Sequence, residues 1–133
     1  MSPLFSKLNL TTQKTIFVLD APDSFQEELS HLSGIEIIND LKARGELVFA
    51  IAFVSQKSQI DRIAPALAKK AEGDAILWFA YPKGTSKKYQ CDFNRDTGWD
   101  ALKALGFDTV RQVAIDADWS ALRFRRVEFI GSR

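Results

Sequence analysis

The chain has 133 residues, 46% of them hydrophobic and 26% charged, and a net charge of +1. That is a one-domain length, able to bury roughly 68% of its unfolded surface, with no global charge to draw it toward nucleic acid or an anionic membrane. One cysteine and one histidine exclude an internal disulfide and a zinc site of four Cys/His ligands.

No apolar run approaches the ~20 residues of a membrane span, and the opening MSPLFSKLNL lacks the apolar core of a secretory signal. These features predict a cytosolic single domain over residues 1–133, a monomer or small homo-oligomer, without a metal. Charge moves from −2 over residues 1–82 to +3 over residues 83–133, a swing too small to define a partner.

In chain order, PLFSKLNL is a short helix that can cover a sheet face. Lys14–Asp20 (KTIFVLD) is a nearly continuous apolar run, the pattern of a strand buried on both faces and typical of parallel sheets. Pro22–Gly34 reads as a helix capped by Asp23 or Ser24, and Ile35–Ile38 as a short strand. The link Asn39–Glu46 is too short for a crossover helix. Its eight residues reach about 26–29 Å when extended, enough to pass a neighbouring strand, and the sheet face there is thinly covered.

Glu46–Val54 (ELVFAIAFV) is a second buried run. Ser58–Gly73 follows as a helix with Ile60, Ile63, Ala64, Leu67, Ala68 and Ala71 on one face, a kink at Pro65 and a stop at Gly73. Asp74–Tyr81 (DAILWFAY) is a third buried run. Gly84–Gln90 is predicted to be a mobile loop, anchored by nothing apolar except Tyr89. Asn94–Gly106 is predicted to be a helix capped by Asn94 or a polar neighbour, with Trp99, Leu102 and Leu105 inward and Gly106 as terminator. Asp108–Ile115 and Ala121–Ile130 are strands joined by five residues, a link that suits antiparallel neighbours. The alternation predicts an α/β three-layer sandwich with a mostly parallel sheet of about six strands and an antiparallel C-terminal strand at or near an edge.

Several chemistries fall away. His31 ends the first helix, near the amino edge of the sheet, whereas Cys91 follows a strand at the carboxyl edge. A strand alone separates these edges by roughly 17–20 Å, so the pair is out of activation range. A dinucleotide site wants a glycine-rich turn after the first strand, but the turn here is Asp20-Ala21-Pro22-Asp23. Pro22 has no N–H, and the carboxylates repel a pyrophosphate. KGTSKK lacks the second glycine of a phosphate loop. Asp40, twenty residues after Asp20, is the one nucleoside signal, since an acid there can hold ribose hydroxyls. Lys83, Lys87, Lys88 and Tyr89 mix charge with a stacking ring. Alternation puts Arg123 and Arg125 on one face and Arg126 on the other, and nearby acids dilute the basic stretch.

Ligands of open α/β sheets bind beyond the carboxyl ends of the strands. That edge carries Asp20 and Pro22, Ser55, Tyr81-Pro82-Lys83 and the segment DADWSALRF, where Asp118, Trp119, Ser120 and Arg123 combine an apolar body with polar fixing points. Lys83 is expected to point over this edge, toward Asp20, Asp118 or a bound anion.

The segments LDAP (Leu19–Pro22), LWFAYPK (Leu77–Lys83) and DADWSALRF (Asp116–Phe124) together resemble a family of small bacterial proteins known only as a domain of unknown function. The likeness spans roughly Leu4 to Phe124. Members often have Trp-Pro-Lys where this chain has Tyr81-Pro82-Lys83. The resemblance implies a Rossmann-like fold distantly similar to class I methyltransferases, without their glycine-rich loop, and implies no catalytic or binding residues. The leading expectation is a non-catalytic module binding a small ligand or protein partner through Asp20, Pro22, Lys83, Asp118, Trp119, Ser120 and Arg123, with no cofactor. The alternatives are a degenerate nucleoside- or S-adenosylmethionine-dependent enzyme, resting on the fold and Asp40, and nucleic-acid binding through the Lys83–Tyr89 loop.

Overall fold

The computed structural model describes residues 3–43 and 45–131. Six strands form one sheet: β1 (Thr15–Leu19), β2 (Glu36–Ile38), β3 (Leu47–Phe53), β4 (Ala71–Pro82), β5 (Phe107–Ala114) and β6 (Trp119–Arg126), in the order β2-β1-β3-β4-β6-β5. The pairs among β1 to β4 are parallel. β6 is antiparallel to both β4 and β5. The fold is therefore a Rossmann-like α/β sandwich with a mixed sheet, as the strand and helix alternation predicts. The antiparallel strand sits one place in from the edge, because β5 overshoots to the outer position and the short turn after it folds β6 back into the gap.

Right-handed crossovers decide what covers each face. The step from β1 to β2 moves one way and carries helix α2 (Gln26–Ser30). The steps from β2 to β3, β3 to β4 and β4 to β5 move the other way, so they place the 39–46 link, helix α3 (Lys57–Lys70) and helix α4 (Asp100–Ala104) on the opposite face. Two apolar clusters follow. On the α3 face, Phe17, Leu19, Ala50, Ala52, Leu77, Phe79, Leu122 and Phe124 pack against Ile60, Ile63, Ala64, Leu67, Trp99 and Leu102. On the other, Ile16, Val18, Phe49, Ile51, Phe53 and Trp78 pack against Phe25 and the N-terminal helix α1 (Pro3–Lys7) with Leu8 and Leu10. The buried Trp78 indole N–H donates to the Leu8 carbonyl at 2.8 Å, which pins the N-terminal segment to the sheet. The thin stretch expected at the 39–46 link is on the α3 face, where Leu41 packs and Lys70 donates to the Ala43 carbonyl. α1 covers the other face.

Four local expectations are corrected. The segment 22–34 is a single 3-10 turn, Asp23–Phe25, followed by the five residues of α2, and neither Asp23 nor Ser24 makes a capping bond. Ser30 instead donates to the Glu27 carbonyl, and the chain leaves the helix at His31. α3 ends at Lys70, three residues before Gly73, and β4 begins at once. Its start is Gln56, whose side chain accepts from the Gln59 backbone while the Gln59 side chain accepts from the Gln56 N–H. Pro65 lies on the exposed side of α3 without dividing it, where a carbonyl freed of its N–H partner can be hydrated.

The 94–106 helix shrinks to α4. Gly98 is left-handed at φ +92°, and a Cβ there would lie 2.8 Å from the Phe93 Cβ. The chain before it is a turn in which the Asn94 carboxamide accepts from the Asp96 N–H, so Asn94 caps no helix. Trp99 and Leu102 point inward as expected, but Leu105 is 41% exposed. Finally, β6 starts at Trp119 and ends at Arg126, with Val127–Phe129 as a 3-10 turn.

Candidate functional site at the carboxyl edge of the sheet

β2 lies to one side of β1 and β3 to the other, so the order of connection reverses at β1, the point where open α/β sheets form ligand crevices. Depressions ring the carboxyl edge, and three of them border the predicted residues. One of about 310 Å³ lies beside Val18, Asp20, Ala21, Gln26 and Asn39. A second of about 240 Å³, on the α3 side, is bordered by Asp20, Asn39, Asp40, Arg62 and Ile63. A third of about 360 Å³ lies under the loop after β4, against Tyr81, Lys83, Ser86, Tyr89, Phe93 and Asn94.

The predicted residues divide among these places. Asp20 is exposed, with φ +57°, and borders the first two depressions. Pro22 lies two residues on and opens the 3-10 turn, its carbonyl accepting from the Phe25 N–H. Asp40 joins Asp20 at the second depression, and its carboxylate accepts from the Lys42 N–H.

Lys83, Asp118, Trp119 and Ser120 come together at the ends of β4 and β6. The Lys83 backbone N–H donates to the Asp118 carbonyl at 2.8 Å. Lys83 borders the third depression and has no ion pair among the described residues, neither with Asp20 nor with Asp118. Asp118 instead receives the Ser86 hydroxyl at 2.8 Å. Ser120 is buried in register with Tyr81. Arg123 is not at this edge: it lies four residues into β6, on the sheet face, with its guanidinium 3.4 Å from the Asn9 side-chain oxygen.

Trp119 is 5% exposed. Its ring stands edge-on to Phe53 at 5.2 Å and against Tyr89 at 4.9 Å. Its indole N–H has no acceptor. Asp116 closes the turn before it by accepting from the N–H groups of Asp118 and Trp119.

The loop after β4 is anchored, contrary to the mobile segment read from its composition. Ser86 is the hub. Its hydroxyl donates to Asp118 and accepts from the N–H groups of Lys88 and Tyr89, while its own N–H donates to the Lys83 carbonyl. Tyr89 then lies on Trp119, and the Lys88 ammonium stands 5.7 Å over the Tyr89 ring. The latch between Ser86 and Asp118 spans 32 residues, so no local pattern announces it. The Ser-x-Lys-Tyr turn, a hydroxyl bonding backbone two and three residues on, was the only sequence signal available.

The electrostatics offer no activated nucleophile at Cys91. Burial pushes its thiol up, with a backbone hydrogen bond from Phe93 opposing, which favours the protonated, less nucleophilic form. Burial likewise raises the Tyr81 phenol, whose oxygen accepts from Gln112 at 3.0 Å. Among the described residues no group of three or more His, Cys, Asp or Glu is placed to hold a metal ion, and no helix is long and apolar enough to cross a membrane.

No protein-family model matches the chain, and no curated protein matches it. Solved structures do. A SAM-dependent methyltransferase from Aquifex aeolicus superposes with a TM-score of 0.63 at 10% identity, over 93% of this chain and 88% of that one. Magnesium protoporphyrin IX methyltransferase from Synechocystis, solved with bound SAM, gives 0.58 at 13% identity over 92% and 74%. The N-methyltransferase NodS from Bradyrhizobium japonicum gives 0.54 at 14% identity over 92% of each chain. At such identities the likeness is one of architecture: the chain has a distant structural similarity to the class I SAM-dependent methyltransferase fold.

Proposed function

We propose that this protein is a non-catalytic binding module that takes a small anionic ligand, or the acidic side chain of a protein partner, at the carboxyl edge of its sheet. The observation that carries the reading is Lys83: a half-buried lysine without a carboxylate partner among the described residues, at the border of a depression of about 360 Å³ walled by Tyr81 and Phe93. Apolar walls with a few convergent polar groups are the usual makings of a small-molecule site. The absence of an activated nucleophile at Cys91 supports a role without covalent chemistry. The three segments that resemble the small bacterial family of unknown function converge on this same edge.

A second reading, a degenerate nucleoside- or S-adenosylmethionine-dependent enzyme, has its own support. Asp20, Asn39 and Asp40 share a depression at the switch point, in a fold similar to methyltransferases. The turn Asp20-Ala21-Pro22-Asp23 weighs against it, because it supplies neither glycine nor a run of N–H donors.

A thermal-shift and calorimetric panel of S-adenosylmethionine, nucleotides, small carboxylates and short oligonucleotides tests both. A ligand at 100 times its Kd stabilises by about 2.7 kcal/mol. The expected result is a stabilising anion whose effect is lost in Lys83→Ala and retained in the Lys87→Ala/Lys88→Ala double variant, with no S-adenosylmethionine binding below millimolar. Micromolar S-adenosylmethionine binding would replace the first reading by the second. Loss in the double variant alone would move the site to the basic loop and to nucleic acid.

A further inference from the structure

β6 carries three arginines, and they are treated unequally. Arg125 holds the Asp74 carboxylate in a two-point pair at 2.8 and 2.6 Å. Arg126, on the other face, donates to the carbonyls of Gly73, Ala68 and Ala71 and lies over the Phe107 ring. Arg123 has one long contact, 3.4 Å to Asn9, and its Nε–H is enclosed with no acceptor. A guanidinium has five donors in a fixed fork, so most of its capacity is unspent.

Directly opposite Arg123 on β5 stands another arginine, Arg111. The ladder shifts register between Thr109 and Arg111, and this extra residue at Val110 decides which face Arg111 takes. Val113 and Ala121, in register two residues further along, belong to the cluster beneath α1. Arg111 and Arg123 therefore face that same side. Gln112 and Leu122 face the other, where Gln112 reaches Tyr81. Opposed side chains of a ladder have Cβ atoms about 4.5–5.5 Å apart, and like charges there repel.

Asp74, the acid whose charge offsets part of the repulsion at Arg123, is itself held in a pair by Arg125, and Asp108 stands in register with Arg125, one step beyond the bulge. Arg111 is exposed and has no ion pair among the described residues. Burial, and then the charges of Arg125 and Arg111, push the Arg123 guanidinium below its usual range, with Asp74 opposing. No crossover helix follows β5, which a hairpin joins to β6, and the segment after α1 reaches this pair through Asn9, beside Arg123.

We propose that Arg111 and Arg123 form a two-guanidinium clamp for a phosphate group on the α1 side of the β5–β6 hairpin, entered from the exposed Arg111. A carboxylate has two oxygens and is satisfied by one fork, as Asp74 is by Arg125. A phosphate has more acceptor oxygens and up to two negative charges, so it can bridge two forks and offset both charges. The clamp is separate from the carboxyl edge: Arg123 pairs with Trp78, four residues before Pro82, about 13 Å along the strand.

The test is an NMR titration of the whole protein with inorganic phosphate at constant ionic strength, following the Arg123 Nε–H and the Arg111 and Arg123 amides, with unfolding midpoints measured in phosphate-free buffer. Saturable shifts at these groups are expected, weakened on the order of tenfold in Arg111→Ala and less in Arg111→Lys, which keeps the charge but not the fork. Without phosphate, Arg111→Ala is expected to be as stable as the parent or more so, since it removes a like-charge contact. A single-stranded oligonucleotide forms the second arm. Binding far tighter than phosphate, lost with Arg111→Ala and steeply salt-dependent, would make a polynucleotide backbone the source of the phosphate. Binding of phosphate without the oligonucleotide would make it a small ligand. Absence of saturation, shifts that survive Arg111→Ala, or a lower phosphate-free stability of Arg111→Ala would each overturn the clamp.

Discussion

Truncation of Trp119 to alanine gives the sharpest test of how the carboxyl edge is built. The indole is enclosed between Phe53 and Tyr89 at the first residue of β6. Phe or Trp to Ala at packed sites costs about 3–5 kcal/mol. Two terms move the figure toward the lower end. The loop bearing Tyr89 can settle into part of the space. The lost indole N–H has no acceptor, and removing such an orphan returns part of a penalty of about 1–3 kcal/mol. The expected loss is therefore about 3 kcal/mol, which at about 4 °C per kcal/mol for a domain of this size lowers Tm by about 12 °C. Trp119→Phe keeps a ring against Phe53 and Tyr89 and drops the orphan donor, so it should stay within about 1.5 kcal/mol of the parent. Urea denaturation followed by far-ultraviolet circular dichroism reads both. A Trp119→Ala midpoint equal to the parent's would refute the packing argument, because a ring enclosed by two others cannot be removed without loss. A Trp119→Phe variant as damaged as Trp119→Ala would show that the N–H has an acceptor after all.

Ser86→Ala removes the latch to Asp118 and the acceptor for two backbone N–H groups. It should speed amide exchange at Lys88 and Tyr89 on the order of tenfold, the equivalent of one or two net hydrogen bonds of about 1 kcal/mol each, and unchanged protection there would count against the hub. Gly98→Ala forces a left-handed residue to carry a Cβ 2.8 Å from that of Phe93. It should cost about 1–3 kcal/mol, and a neutral midpoint in thermal denaturation would contradict the contact. The Tyr81 phenol is raised chiefly by burial, so its stabilising contribution is complete below the unfolded value of about 10 and is lost as pH rises through the higher folded value. In a Tyr89→Phe background the phenolate absorbance should therefore appear above the ordinary range, and titration at or below it would refute the burial. Cys91, raised by burial too, should react with a disulfide reagent more slowly than a free thiol at pH 8.

The buried strands were legible in the sequence because a strand covered on both faces leaves no room for polar alternation, and IFVL, LVFAIAF and ILWFAY have none. The hairpin of β5 and β6 was legible because a link of a few residues cannot support a crossover. The helical face of α3 followed from spacing alone, with Ile60, Ile63, Ala64 and Leu67 all buried.

The remaining features depend on partners distant in the chain. The sequence allowed β6 either at the edge or one place inward, since the same turn serves both, and only the antiparallel pairing with β4 selects the inner slot. The 94–106 helix shortens to α4 because apolar spacing says nothing of Gly98 meeting Phe93. The loop after β4 read as mobile because its anchor, Asp118, lies 32 residues from Ser86. Alternation correctly separated Arg123 and Arg125 from Arg126, but it could not show that Arg111 stands opposite Arg123. That juxtaposition depends on the register shift at Val110, and one residue of slip would have sent Arg111 to the other side of the sheet.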